Sequence, residues 1–169
     1  MTTGQNFLSD SIKVFNTYKA LGEKAFNQLR GDEINAHKGD SSNSIALIVK
    51  HLRGNMLSRW TDFLTTDGEK PNRNRDTEFE GQFSDSKKLI ECWEEGWACL
   101  FATLDSLSAD DLSKTVYIRR EPLTVMEAIL RQIAHYAYHV GQIVYLAKEI
   151  RSGDWKSLSI PKGKSEEYK

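Results

Sequence analysis

Disulfides, helix breakers, long apolar runs and a charge of one sign are all scarce in this chain, and each scarcity excludes a class of protein. Two cysteines in 169 residues cannot build a disulfide scaffold. Cys92 and Cys99 stand seven apart in a helical pattern, roughly 10 Å along the axis, so they are out of disulfide reach and read as reduced core residues. No stretch approaches 18 uninterrupted apolar residues, so no transmembrane helix is expected. The opening MTTGQNFLSD has neither a basic n-region nor an apolar h-region, which reads as no secretory signal and a cytoplasmic protein. Lys and Arg number 23 against 24 Asp and Glu, for a net charge of -1. That balance argues against a nucleic-acid or anionic-membrane binder, which carries a basic surplus. What remains is a 39% apolar composition in a chain of one-domain length, enough for a packed core.

The three prolines, Pro71, Pro122 and Pro161, leave proline-free runs of 70, 50 and 38 residues, which permits long helices. Within these runs apolar residues recur every three or four positions. One series runs Phe7, Leu8, Ile12, Phe15, Tyr18, Leu21, Ala25, Phe26, Leu29, and a second Ile45, Ile48, Val49, Leu52, Met56, Trp60, Phe63, Leu64. A third is Leu89, Trp93, Trp97, Leu100, Phe101, Leu104, Leu107, and a fourth Val125, Ile129, Ile133, Tyr136, Val140, Ile143, Val144, Ala147. Each predicts an amphipathic helix.

Boundary chemistry agrees with this division. Thr124 and Glu127 form a capping box at the start of the fourth helix, and Gly153 follows Lys148 and Arg151 as a stop signal. Ser41, Ser42, Asn43 or Ser44 can cap the second helix, and Ser84 or Asp85 the third. A charged, Asn-rich loop spans residues 65–81, and the β-prone segment from Thr115 to Arg119 reads as a short extended piece. From Ser157 the chain turns polar. The expected fold class is all-α: a four-helix bundle over residues 1–156, with the short extended segment before the last helix and a draped polar tail over 157–169.

Among the four histidines, His135 and His139 are spaced i, i+4 in the fourth helix and so stack on one face about 6 Å apart. At 100° per residue the stripe Ala128, Arg131, His135, His139, Gln142 flanks the aliphatic arc instead of lying at its centre. The second helix carries a matching stripe of His51, Asn55, Ser58 and Asp62 beside its apolar arc. A bundle can bring the two stripes together. Three neutral imidazoles bind Zn²⁺ or Ni²⁺ and leave a coordination position open. Spacing alone is weak support, since an HxxxH pair is more often ordinary surface or core. Tyr136 stands where the protease motif HExxH has its glutamate, and the Glu-x-x-His pairs of di-iron bundles are missing. His37, in a polar loop, reads as solvent-exposed.

At these residues the sequence resembles a family. HVGQI from His139, preceded by His135, is similar to the final helix of the DinB/YfiT-like superfamily of metal-binding four-helix bundles. The stretch from Ser44 to Asp76, and the tail from Trp155 through SLSIPKGKS, resemble one uncharacterised bacterial branch of it, so the likeness covers roughly residues 7–165. The resemblance implies one metal-ligating histidine from the second helix and two from the fourth, at positions matching His51, His135 and His139, with Zn or Ni as the usual metal. It further implies a thiol S-transferase type of activity, in which the metal holds a low-molecular-weight thiol such as bacillithiol or mycothiol as thiolate and presents it to an electrophile. The expected partners are therefore a small-molecule thiol and its electrophile. Relatives are often dimers, so a homodimer is expected too.

Around the histidines, Asn55 follows His51 by one turn and Gln142 follows His139 by three residues. Either can hydrogen-bond a ligand imidazole, the ordinary alternative being a buried amide. Arg59, Arg131, Arg73 and Arg75 lie near the stripes or on the loop with Asp76. Each reads singly as a surface salt bridge, although an arginine facing the metal suits a carboxylate-bearing thiol or substrate. Mid-helix Gly141 costs about 1 kcal/mol against alanine, which close approach of a helix or subunit would explain. Two other readings compete with the transferase: a metal that only staples two helices, and a hydrolase using bound hydroxide. The lack of a fourth protein ligand leans towards an enzyme, and a Cys, Glu or Asp completing the tetrahedron from the loop would reverse that lean.

Overall fold

The computed structural model describes residues 1–37, 39 and 41–168. It is mainly helical, with four long helices and one small antiparallel hairpin. Helix α1 spans Thr3–Phe26, α2 Ile45–Trp60, α3 Ser86–Ser106 and α4 Val125–Arg151. Each start is chemically fixed. Ser44 accepts from the Leu47 amide at 3.2 Å and Asp85 from the Lys88 amide at 2.9 Å. At α4 the capping box closes in both directions, with Glu127 N donating to Thr124 Oγ1 at 3.1 Å and Thr124 N to Glu127 Oε2 at 2.7 Å. No helix among the described residues is long and apolar enough to cross a membrane.

α2 packs chiefly on α3, and α1 on α4. Every helix sends one ring to the centre: Phe15 from α1, Trp60 from α2, Trp97 from α3 and Tyr136 from α4, all almost fully buried. Phe15 meets Trp60 and Trp97 edge-on with centroids 6.2 and 6.3 Å apart, and Trp97 meets Tyr136 at 5.8 Å, the geometry that ring quadrupoles favour. At Gly96 of α3 an added Cβ would stand 3.1 Å from Arg53 Cα, so this glycine lets α2 and α3 come close.

Three expectations about boundaries and spacing are corrected. Apolar spacing carries the second helix through Phe63 and Leu64, but α2 stops at Trp60. Thr61 is extended and Asp62 takes φ 48°, while the Trp60 carbonyl accepts from Thr103 Oγ1 at 2.8 Å. Phe63 remains buried from the turn that follows. At the end of α4, Ser152 (φ 43°), not Gly153, adopts the positive-φ stop. Gly141 has nothing within 4 Å of an added Cβ, so no neighbour in this chain explains it.

The extended segment proves to be half of a hairpin. Strand β1 (Thr115–Ile118) pairs with β2 (Glu121–Thr124) from Thr115↔Thr124 to Ile118↔Glu121. Pro122, expected only as a break, sits in this two-stranded ribbon, where its missing N–H is tolerated. The two turn residues, Arg119 and Arg120, have φ of 55° and 64°, which costs a non-glycine residue about 1–2 kcal/mol each. The Asp67 carboxylate offsets that cost by accepting from both turn amides, at 2.8 and 2.7 Å. Gly68 N adds a bond to the Tyr117 carbonyl at 2.7 Å. The long loop and the hairpin are thereby clasped together. Most of the polar tail is exposed, but Gln28 exchanges two hydrogen bonds with the Lys156 backbone at 3.0 and 2.8 Å and Leu158 packs on the core. Lys169 lies outside the described residues.

Candidate metal centre

α2 and α4 bring the three predicted ligands together. One nitrogen each of His51, His135 and His139 lies within 4.8 Å of the others. Their ring centroids are 5.5 Å (His51–His135), 4.9 Å (His51–His139) and 4.8 Å (His135–His139) apart. His51 is 4% exposed and His139 9%. Among the described residues the cluster contains these three and neither a cysteine nor a carboxylate.

Two of the imidazoles are oriented from behind. His51 Nδ1 lies 2.9 Å from Glu78 Oε2; an ionised carboxylate only accepts, so that nitrogen carries a proton, and in the neutral ring the lone pair is then on Nε2. His139 Nδ1 meets Gln142 Oε1 at 2.9 Å, with the same result. Burial pushes His135 down to about 3, with the neighbouring His139 and His51 adding to it. Burial likewise pushes His139 down to about 4, outweighing the Gln142 bond. Both rings are thus neutral near pH 7, the form a metal requires. Two ring nitrogens, His135 Nδ1 and His139 Nε2, are buried without a hydrogen-bond partner. A set of borderline nitrogen donors with ring nitrogens that the protein leaves unpartnered fits a divalent cation such as Zn²⁺ or Ni²⁺.

Glu78 is the residue that the sequence did not reveal. It belongs to the long loop, in a short 3-10 turn over Asp76–Phe79, and is 8% exposed. Arg73 grips its carboxylate with Nε at 2.7 Å and Nη2 at 2.9 Å. Burial alone would raise the Glu78 carboxyl, but the His51 and Arg73 bonds outweigh it and hold it below the usual range. Phe79 stacks on His51 with a centroid separation of 5.1 Å. Gly54 makes room: a Cβ there would fall 2.1 Å from Glu78 Oε1. A carboxylate from the loop therefore does arrive, but behind His51, where it aligns the ring, and the candidate ligands remain the three histidines.

Other expected residues fall differently. Asn55 accepts from the Tyr136 hydroxyl at 3.0 Å, and Tyr136 in turn accepts from Trp60 Nε1 at 3.0 Å. Its recorded partner is thus a phenol and not a ligand ring, because Tyr136 reaches it first across the core. Arg59 and Arg73, expected as surface pairs, have side chains only 7% and 5% exposed and pair with Glu69 at 3.2 and 3.3 Å; the loop folds over them. Arg131 does form a surface pair, with Glu121 at 2.9 Å. His37 is exposed. Cys92 is free and half-buried, and burial pushes its thiol up to about 11.

A cavity of about 350 Å³ opens on His51 and His135. A larger groove, about 900 Å³, runs between α2, α3 and the loop. Gly54, Arg73 and Glu78 line that groove, which contains none of the three histidines. Of the three histidines, His51 and His135 thus line the smaller space, and His139 lines neither.

The sequence profile of the family described as "Protein of unknown function (DUF1572)" matches residues 2–164. The chain belongs to this DUF1572 family. Neither a curated protein nor a solved structure matches it. The family match spans all four helices and the loop that carries Glu78, so the whole centre lies within it.

Proposed function

We propose that this DUF1572 protein is a divalent-metal-binding four-helix bundle of the DinB/YfiT-like kind, and that its His51, His135 and His139 serve a metal-dependent thiol transferase. The observation that carries the reading is the pair of buried, unpartnered ring nitrogens, His135 Nδ1 and His139 Nε2, in a cluster of three histidines. A buried polar nitrogen left without a partner is costly, and a cation held by the three rings would take up lone pairs that the protein does not use.

A cation held there, Zn²⁺ or Ni²⁺, supplies the Lewis acidity that keeps an incoming thiol as thiolate near neutral pH. The remaining work belongs to the chain. Glu78 fixes the tautomer and tilt of His51, Gln142 those of His139, and burial keeps His135 and His139 unprotonated. Three protein ligands leave room for the thiol, and the adjoining cavity admits its electrophile.

Metal analysis of purified protein is expected to give close to one equivalent of divalent metal, lost in His51→Ala and in His139→Ala. Equal metal content in all three proteins would remove the reading. Conjugation of a low-molecular-weight thiol to a bimane is expected to slow when the protein is chelated. A rate indifferent to chelation would leave a metal-binding module without transferase activity.

A further inference from the structure

The cavity beside the histidines is lined by five arginines: Arg59 from α2, Arg73 and Arg75 from the long loop, Arg119 from the hairpin turn and Arg131 from α4. Among the described residues no Asp or Glu lines it. Their ion-pair partners stand behind the wall and number three. Glu69 is shared by Arg59, Arg73 and Arg119, at 3.2, 3.3 and 2.9 Å. Glu78 pairs with Arg73 at 2.7 Å and is also engaged by His51. Glu121 pairs with Arg131 at 2.9 Å. Arg75 is exposed and has no ion pair among the described residues. Guanidinium groups thus outnumber their carboxylates, and the cavity is positive before any cation enters the cluster. Positive groups held together in a recess repel one another and focus an attractive field on an anion.

A second observation points to a ligand. Gln132 lines the same cavity at 4% exposure, and its Oε1 is buried with no hydrogen-bond partner. Arg59 Nε, in the same wall, is likewise unpartnered. The wall offers an acceptor and a donor that the protein itself does not use. At about 350 Å³ the space is at the small end for ligand pockets, which suits a small molecule.

We propose that this cavity binds a small-molecule substrate bearing an oxyanion group, carboxylate or phosphate, gripped by Arg75 and Arg131, with Gln132 Oε1 accepting a hydrogen bond from the same molecule. Guanidinium forks match both oxyanions bidentately. The assignment names a substrate class for the proposed metal site and rests on that reading.

The test uses protein loaded with Co²⁺, in which thiolate binding is visible by absorption. Mercaptosuccinate is titrated against its neutral diamide, which lacks the oxyanions. The carboxylate form is expected to bind about tenfold more tightly or better. In Arg75→Gln and in Arg131→Gln most of that preference disappears, while metal content and the affinity for the diamide stay as in the wild type. Arg75 has no ion pair among the described residues, so its replacement breaks none of theirs. Displacement by succinate or by inorganic phosphate then identifies the oxyanion, and displacement by neither counts against the proposal. Equal affinities for acid and diamide in the loaded protein overturn it while leaving the metal reading standing. A protein that takes up no Co²⁺ overturns the metal reading instead. In that event calorimetry of metal-free protein with succinate against succinamide still decides the oxyanion site, with equal heats overturning it.

Discussion

The aromatic interior and the histidine cluster are built from the same two helices, α2 and α4, and treat polar atoms in opposite ways. Tyr136 faces the interior, and its hydroxyl is satisfied twice over, by Trp60 Nε1 and Asn55 Oδ1. His135, the preceding residue on α4, faces the cavity and leaves Nδ1 buried and unpaired. One residue step turns the helix by about 100°, enough to change a side chain's task completely. The interior is not perfect, since the indole N–H groups of Trp93 and Trp97 also lack partners. Those are neutral donors on one face of α3. Around the cavity, by contrast, His135, His139, Gln132 and Arg59 all leave buried atoms free. Unpartnered buried atoms are thus more concentrated around the cavity than in the interior.

Three substitutions probe that contrast, in descending order of effect. Trp97→Ala removes the most central ring and is expected to cost about 3–5 kcal/mol in urea unfolding; a loss below about 1 kcal/mol would mean that the interior is not the stabilising half. Gly54→Ala should act on the other half alone. Its Cβ would displace the flexible end of Glu78, while alanine favours the helix by roughly 0.5–1 kcal/mol. Metal affinity, read by competition with a chelator, should therefore fall about 10–100-fold with the unfolding midpoint nearly unchanged. Unaltered affinity would show that Glu78 does not orient His51. Tyr136→Phe breaks the Trp60–Tyr136–Asn55 hydrogen-bond chain of the interior, and should cost about 1–2 kcal/mol of stability. If it also strips the metal, the two regions are less separable than the geometry indicates.

The helices and the three histidines were legible because both signals are local and periodic. Apolar spacing, Ser44, Asp85 and the Thr124–Glu127 box are read within a turn or two, and i, i+4 spacing places His135 and His139 on one face whatever the tertiary fold. What escaped detection depends on contacts distant in sequence. Glu78 meets His51 from a loop with no periodicity to fix its direction. The Arg119–Arg120 turn carries no glycine signal, because Asp67 from another segment holds it. Phe63 continues the helical spacing of α2 yet reaches the core from a turn, since burial constrains where a side chain ends and not how its backbone arrives. The arginines, each unremarkable in the sequence, acquire meaning only where four segments converge.

The pairing of α1 with α4 has a consequence for the order in which the chain can assemble. α1 ends at Phe26 and α4 begins at Val125. At about 5–20 residues per second, a growing chain leaves the first helix without its main partner for roughly 5–20 s. α2 and α3, close in sequence, can dock during that interval. Phe15 and the apolar side of α1 cannot be covered by α4 until α4 itself has been made, and His51 meets its two companions at the same moment. A histidine cluster that waits for α4 would make metal uptake a report that the helices on both sides of it, and not α2 alone, have folded.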